Sequence, residues 1–540
     1  MLIAAFRLGT ALAGKAVSYE EEKGFWVTGS GRNERSGSTM KRTLYCALMS
    51  CLFLAMYPLL LIAQQPANLI TDPGFETGTR GWTAISGKIA PVKDAKLAHA
   101  GAGAVRVIAA KQGNQWDGRL YGTRRIDVAP GARYVCSAWV KGGGKADVGV
   151  YEYDYKDGSP VFLKKVSLPA SAALSDTWQQ LTITYRPSAE NVRAVAPFAQ
   201  VTGEGGNMLV DDVEFANSPE PPVEISLGAA PAMAPAGGKL VVPVTVKGAA
   251  ASVSVEATLR DEQGNIVERG ASSVERGVSL TLPEKLDGCC TLAVVEKNSG
   301  AAALAFVDVC PKDMYDACAA ATAQVKLQKP CHLVFVGDSL TAMYKGHNYV
   351  DKVRGWLVGR FGDKVTVTNA GVGGDTITRV QERLEKDVLS LQPKPTHVFI
   401  FLGHNDSKLK STTDYKEAVV LHADYDRQYR EVVKAIQTRL GAKVTIISAT
   451  SSVYEITKET AAKAAKTAKP HNLFGKPEAL EQFNAIARKV AIALGAGYLD
   501  VYEPTRTAPD KPSLFTKDGV HINEKGNRLV ALEILKYLGK

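Results

Sequence analysis

Cysteine is scarce in this 540-residue chain, with eight in all, and two of them (Cys46 and Cys51) fall in an apolar leader-like run. No Cys-x-x-Cys pair and no histidine cluster stands anywhere in it, so nothing in the motifs suggests a zinc site. Basic tracts are absent too. The net charge of +10 is spread over the whole length, which argues against a nucleic-acid partner and reads as surface solvation. The charged fraction of 22% beside an apolar fraction of 45% excludes disorder as the general state. The Gly-x-Ser-x-Gly elbow of α/β-hydrolases is missing, because Thr341 stands at its last position.

The chain is too long for one core. Domains run to ~100–200 residues, so about three are expected. Met40-Lys41-Arg42 precedes an apolar run from Leu44 to Ile62 and then Ala63-Gln64-Gln65. A basic start, an apolar stretch and a small residue at its end describe an export signal over 40–63. Residues 1–39 have no place in such a signal, and Met40 is the expected start. Pro58 in the run and the small residue after it favour cleavage over a membrane anchor. A secreted or periplasmic location follows, with no stable membrane association. Export permits disulfides, and five of the other six cysteines lie from 289 to 331, so a bridge across a domain junction is expected there.

Residues 68–217 alternate apolar and polar side chains in period two, with Gly and Pro between runs, as in a β-sandwich. A stiff Pro-rich break at 218–223 leads to shorter strands over 223–310, read as a small immunoglobulin-like spacer. From 312 to 540 the texture changes. Buried strands at 332–336, 365–368, 396–402, 443–447 and 497–501 alternate with helical patterns at 349–361, 376–390, 414–440, 477–494 and after Asn523. That alternation predicts a parallel sheet with helices on both faces, an α/β three-layer sandwich with its site in the loops at the strand C-termini. The Ala/Lys-rich stretch 461–470 reads as an exposed helical or flexible insertion near that face.

Four chemical pieces fall at those strand ends. Gly337-Asp338-Ser339-Leu340 follows the first strand, where helix amides can surround the serine. The same pattern also suits a plain helix cap. Asn369 to Thr376 follows the second strand and is rich in glycine, so that backbone amides can approach a ligand; a tight turn needs the same residues. Gly403-His404-Asn405-Asp406 ends the third, offering the Asn405 amide as a donor or a helix cap. Asp518-Gly519-Val520-His521 precedes the last helix, and a carboxylate three residues before a histidine can fix its tautomer.

In this order the four pieces resemble the SGNH hydrolases, or GDSL esterases, over residues 331–540. The resemblance implies Ser339, His521 and Asp518 as a catalytic triad, and the Ser339 N–H, the Gly374 N–H and the Asn405 side chain as the oxyanion hole. It implies the SGNH, flavodoxin-like sheet and two-step acyl transfer without metal or organic cofactor. His404 and Asp338 are expected to contact substrate. Gly403-His404-Asn405-Asp406 is also similar to the third block of rhamnogalacturonan acetylesterases, though Leu340 stands where they commonly carry Thr.

Asn68 to Glu76 with Gly81-Trp82, and Met208 to Val213, resemble the two ends of jelly-roll carbohydrate-binding modules. That resemblance implies a structural calcium, for which Glu76 and Asp212 could supply oxygens. Trp116, Tyr151, Tyr153 and Tyr155 are candidate sugar-stacking rings, whereas Trp82, Trp139 and Trp178 read as core. A sugar-binding-like module on an exported chain makes an O-acetylated polysaccharide or oligosaccharide the expected substrate. The alternatives are a lipolytic esterase, marked by a wide apolar acyl groove, and a glycan-binding protein with an inactive hydrolase domain.

Overall fold

Period-two alternation builds the first region. In the strand Gln179–Tyr185, Leu181, Ile183 and Tyr185 point inward while Gln180, Thr182 and Thr184 face out. The computed structural model describes residues 67–540 other than 157–158, 221–222, 229–230, 249–252, 274–276, 344–345 and 468. The export signal expected at 40–63, and the extension before it, lie outside the described residues. Two long strands, Tyr134–Lys156 and Ala194–Asn217, pair antiparallel along most of their length. Each takes further partners on its other edge, which joins eleven strands in one hydrogen-bonded sheet. Gly142 bends the first of them at φ 141°, and a Cβ there would sit 2.0 Å from the Asn207 carbonyl oxygen.

Two aromatic expectations are corrected here. Tyr151 and Tyr153 are only 6% and 8% exposed, packed with Tyr121 and Phe198, so they are not open to a sugar. Both faces of their strand are covered, and alternation alone could not reveal that. Tyr155 carries the Arg193 guanidinium 5.0 Å from its ring centre, and Trp116 is half-buried against the core. Trp82 is buried, as read. Trp139 is not core: it lies out of phase with inward Tyr134, Cys136, Ala138 and Val140. It is half-buried and stacks on His99 at 3.9 Å, with half-buried Trp178 edge-on to the same imidazole.

The second region, Glu224 to Cys310, folds around Leu240, Val242, Leu259, Leu292, Val294 and Val307. Its main sheet has five strands, and two short antiparallel pairs complete it. The six cysteines of the described residues are all free and buried. The expected bridge is therefore corrected: Cys290 belongs to the core of the second region, whereas Cys310, Cys318 and Cys331 are packed in a core of the third.

The third region holds five parallel strands: β1 (Cys331–Gly337), β2 (Val365–Gly371), β3 (His397–Phe401), β4 (Lys443–Ile447) and β5 (Gly497–Leu499). They are ordered β2-β1-β3-β4-β5, so the direction in which the chain adds strands reverses between β1 and β3. Leu333, Phe335, Phe399 and Phe401 face one helical layer: α1 (Lys312–Gln324), α2 (Tyr349–Phe361) and α3 (Glu524–Gly539). Val334, Val336, Val398 and Ile400 face the other, which contains α4 (Ile377–Leu384), α5 (His422–Leu440) and α6 (Pro477–Ala493). The helix expected over 414–440 starts only at His422, because Asp414 and Tyr415 adopt φ of 53° and 55°, which a helix cannot contain. A helix at Tyr454–Ala465 takes up half of the Ala/Lys-rich stretch, and the Val453 N–H before it donates to the Gly519 carbonyl at 2.8 Å. Among the described residues no helix is long and apolar enough to cross a membrane.

Candidate active site

Ser339 emerges where β1 ends, at the point where the direction of adding strands reverses. Gly337 has no room for a side chain: a Cβ would fall 2.1 Å from Thr341 Oγ1 and 2.8 Å from the Phe401 carbonyl oxygen. The chain therefore turns tightly into the short helix Ser339–Ala342. Asp338 caps that helix, accepting from the Leu340 N–H at 3.0 Å. Asn369 pins the turn from β2 by donating to the Thr341 carbonyl at 2.6 Å.

The loop before α3 brings His521 and Asp518 to Ser339. Ser339 Oγ lies 2.8 Å from His521 Nε2, and His521 Nδ1 lies 2.5 Å from Asp518 Oδ2. Asp518 Oδ1 accepts from the Val520 N–H at 2.8 Å, the His521 N–H at 2.9 Å and Thr516 Oγ1 at 2.9 Å. Burial pushes the Asp518 carboxyl up, but the His521 and amide hydrogen bonds overcome this and hold it well below the usual carboxylate range. The hydrogen bond to Asp518 raises the His521 imidazole above its ordinary value, against the effect of burial. With a proton on Nδ1, Nε2 is free to accept the Ser339 hydroxyl proton, which is the geometry of nucleophile activation.

Gly374 is exposed with φ of 81°, where an L side chain would be strained. Among the described residues the Ser339 and Gly374 amides have no protein acceptor. Asn405 is buried, and its Nδ2 donates to the Asp375 carbonyl at 2.9 Å and to Asp338 Oδ2 at 3.2 Å.

His404 and Asp338, expected to touch substrate, are corrected by burial: they are 4% and 0% exposed and lie beneath the surface. The Thr450 N–H donates to His404 Nε2 at 3.0 Å, so that nitrogen is an acceptor and the ring proton sits on Nδ1. Nδ1 faces Asp338 Oδ2 at 3.6 Å. Sequence reasoning missed Thr450 and Thr516, because nothing local marks either one. Asp406 accepts from the Ile377 N–H at 2.8 Å, and burial pushes its carboxyl up to about 7.

A cavity of about 860 Å³ lies between the second β region and α1 and α2, lined by Met233, Phe306, Tyr315 and Trp356, and none of Ser339, His521 and Asp518 lines it. The expected calcium ligands Glu76 and Asp212 lie near each other: Glu76 Oε1 and the Asp211 and Asp212 Oδ1 atoms fall within 3.8 Å of where a Cβ on Gly74 would be. Glu76 also accepts from the Ala102 N–H at 3.0 Å, and Asp212 Oδ2 is 2.7 Å from His99 Nδ1.

Residues 335–529 match the GDSL-like lipase/acylhydrolase family, and residues 67–201 match a carbohydrate binding domain. Among curated proteins none matches the chain. Solved structures similar to it include a lipase/acylhydrolase from Enterococcus faecalis, 23% identical, covering 39% of this chain and 95% of its own, with a TM-score of 0.31. An α/β hydrolase from the Lake Arreo metagenome is 21% identical over 39% of this chain and 95% of its own, with a TM-score of 0.30. A variant acetyl xylan esterase from Geobacillus stearothermophilus is 20% identical over 40% of this chain and 97% of its own, with a TM-score of 0.29.

Proposed function

We propose that the C-terminal region, a GDSL-type carboxylic ester hydrolase domain, is a serine esterase that removes O-acetyl groups from a polysaccharide or oligosaccharide outside the cytoplasm. The observation that carries this reading is the Ser339–His521–Asp518 line of hydrogen bonds at 2.8 and 2.5 Å, at the strand ends of a domain matching that family. His521 takes the Ser339 proton as Oγ attacks the ester carbonyl. The tetrahedral oxyanion rests on the Ser339 and Gly374 amides. Asn405 joins them by exchanging its 3.2 Å contact to Asp338 for the oxyanion. His521 then hands the proton to the departing sugar hydroxyl, leaving an acetyl group on Ser339. Water, deprotonated by His521, releases acetate. His404 and Asp338 position Asn405 and the nucleophile turn without touching substrate.

The carbohydrate binding domain supports a glycan over a lipid, and the jelly-roll and immunoglobulin-like readings of the two β regions belong to the same proposal. Release of acetate from acetylated xylan, pectin or chitin fragments tests it, beside p-nitrophenyl esters of rising acyl length. Short-chain activity with acetate release, both lost in Ser339→Ala, is expected. A preference for long acyl chains with untouched glycans would sink the glycan reading. The calcium at Glu76 and Asp212 is proposed on the carboxylates gathered at Gly74, an oxygen-only set suited to a hard cation. Chelator should lower the melting temperature, and an unchanged value removes the ion from the account.

A further inference from the structure

Charge is divided unequally among the segments around Ser339. Segments 337–343, 369–379, 402–410 and 516–523 each hold one carboxylate, and every one is engaged inside the protein. Asp338 is buried and accepts from the Leu340 N–H and the Asn405 amide. Asp375 is buried and pairs with Arg383 at 2.6 Å. Asp406 is buried and accepts from the Ile377 N–H, and Asp518 is held by His521.

The cations of the same segments are Arg379, Lys408, Lys410 and Lys517. Lys410 meets Glu417 at 3.0 Å. Among the described residues, the Arg379, Lys408 and Lys517 side chains make no hydrogen bond or ion pair. Arg379 is exposed, and its Nη1 lies 4.0 Å from where a Cβ on Gly374 would be. The next residue, Asp375, shares the Asn405 amide with Asp338, so this guanidinium stands beside the amides proposed to hold the oxyanion. Lys408 follows Asn405 in the same loop. Pairing of Leu409 with Leu473 sets its ammonium 4.3 Å from the centre of the half-buried Phe474 ring. Burial holds the Lys408 ammonium below its ordinary value, and Arg379 acts in the same sense against Asp338 and Asp406. The two cations therefore share one field.

Cations without a counter-charge beside a reacting centre keep a positive potential that a ligand can neutralise. A guanidinium also offers a fork of N–H donors that matches a carboxylate. A neutral acetylated sugar answers neither feature. We propose that Arg379 and Lys408 bind a carboxylate of the substrate near its ester, so that the glycan is an acidic one built with uronic-acid sugars. This rests on the esterase reading above and narrows its substrate class.

The test compares acetate release by the full chain from acetylated oligogalacturonide and acetylated xylo-oligosaccharide of equal length. The expected kcat/KM is at least about tenfold higher for the acidic substrate, as one hydrogen-bonded charge contact supplies. Raising NaCl from about 50 to about 500 mM should erode that ratio, because partly exposed charges are screened. Arg379→Gln and Lys408→Gln should each cut the ratio about tenfold, mainly through KM, whereas Lys408→Arg keeps the charge and retains most of it. The ratio is taken within each variant, so a loss of folding common to both substrates does not move it. Equal or better turnover of the neutral substrate overturns the inference and leaves the esterase reading standing. A preference that neither glutamine variant alters overturns the assignment to these two residues. No acetate from either glycan, with p-nitrophenyl acetate still hydrolysed through Ser339, removes the glycan reading and this inference with it.

Discussion

Asp518 has no contact with Ser339 in this structure, yet it decides what His521 can do. It accepts from the imidazole at 2.5 Å and raises its proton affinity. On the proposed mechanism His521 must be neutral to take the serine proton, so kcat/KM should fall as pH drops through a value above the ordinary ~6.5 of histidine. Asp518→Asn removes the charge that raises the imidazole. That acid limb should then move to lower pH, while kcat falls on the order of 10⁴-fold because the wrong tautomer is favoured. A pH–rate profile of both proteins checks it, and an unmoved limb would detach Asp518 from the base. The hydrogen-bonded line of Ser339, His521 and Asp518 was legible because each sits in a short motif at a strand end. The role of His404 was not, since its tautomer is set by Thr450, 46 residues away.

At the scale of elements, periodicity was informative where one face was buried and silent where both were. The α/β region was readable because its strands are continuous apolar runs: β4 and the helix Tyr349–Phe361 fall where the pattern puts them. Tyr151 and Tyr153 misled because their strand is covered on both faces. Trp139 misled because bulk suggested a core side chain while strand phase pointed it outward. The early part of the 414–440 pattern fails as helix at Asp414 and Tyr415, a backbone event that composition does not signal. The cysteines misled because nearness in sequence does not set pairing: Cys290 lies in the core of the second region, and Cys310, Cys318 and Cys331 share a core of the third as free thiols.

Across the whole molecule, the hydrolase and the second β region are joined through buried charge. Asp308 is 1% exposed and accepts from Arg528 at 2.8 and 2.5 Å, with Lys352 Nζ at 2.9 Å. Burial alone would lower the proton affinity of Arg528; the carboxylates of Asp308 and Asp287 raise it instead. Asp308→Asn leaves two buried cations short of a counter-charge and should cost about 3–5 kcal/mol, read by denaturant unfolding. A change below about 1 kcal/mol would mean that the pairs do not hold the two regions together. No sequence pattern announced this network, because Asp308 and Arg528 lie 220 residues apart. The central claim is that Ser339 is a nucleophile activated by His521, and reaction with a fluorophosphonate tests it most directly. Intact-mass and peptide analysis should find one adduct, on Ser339, with labelling slowed strongly in His521→Ala. No adduct, or an adduct on another residue, would contradict the account.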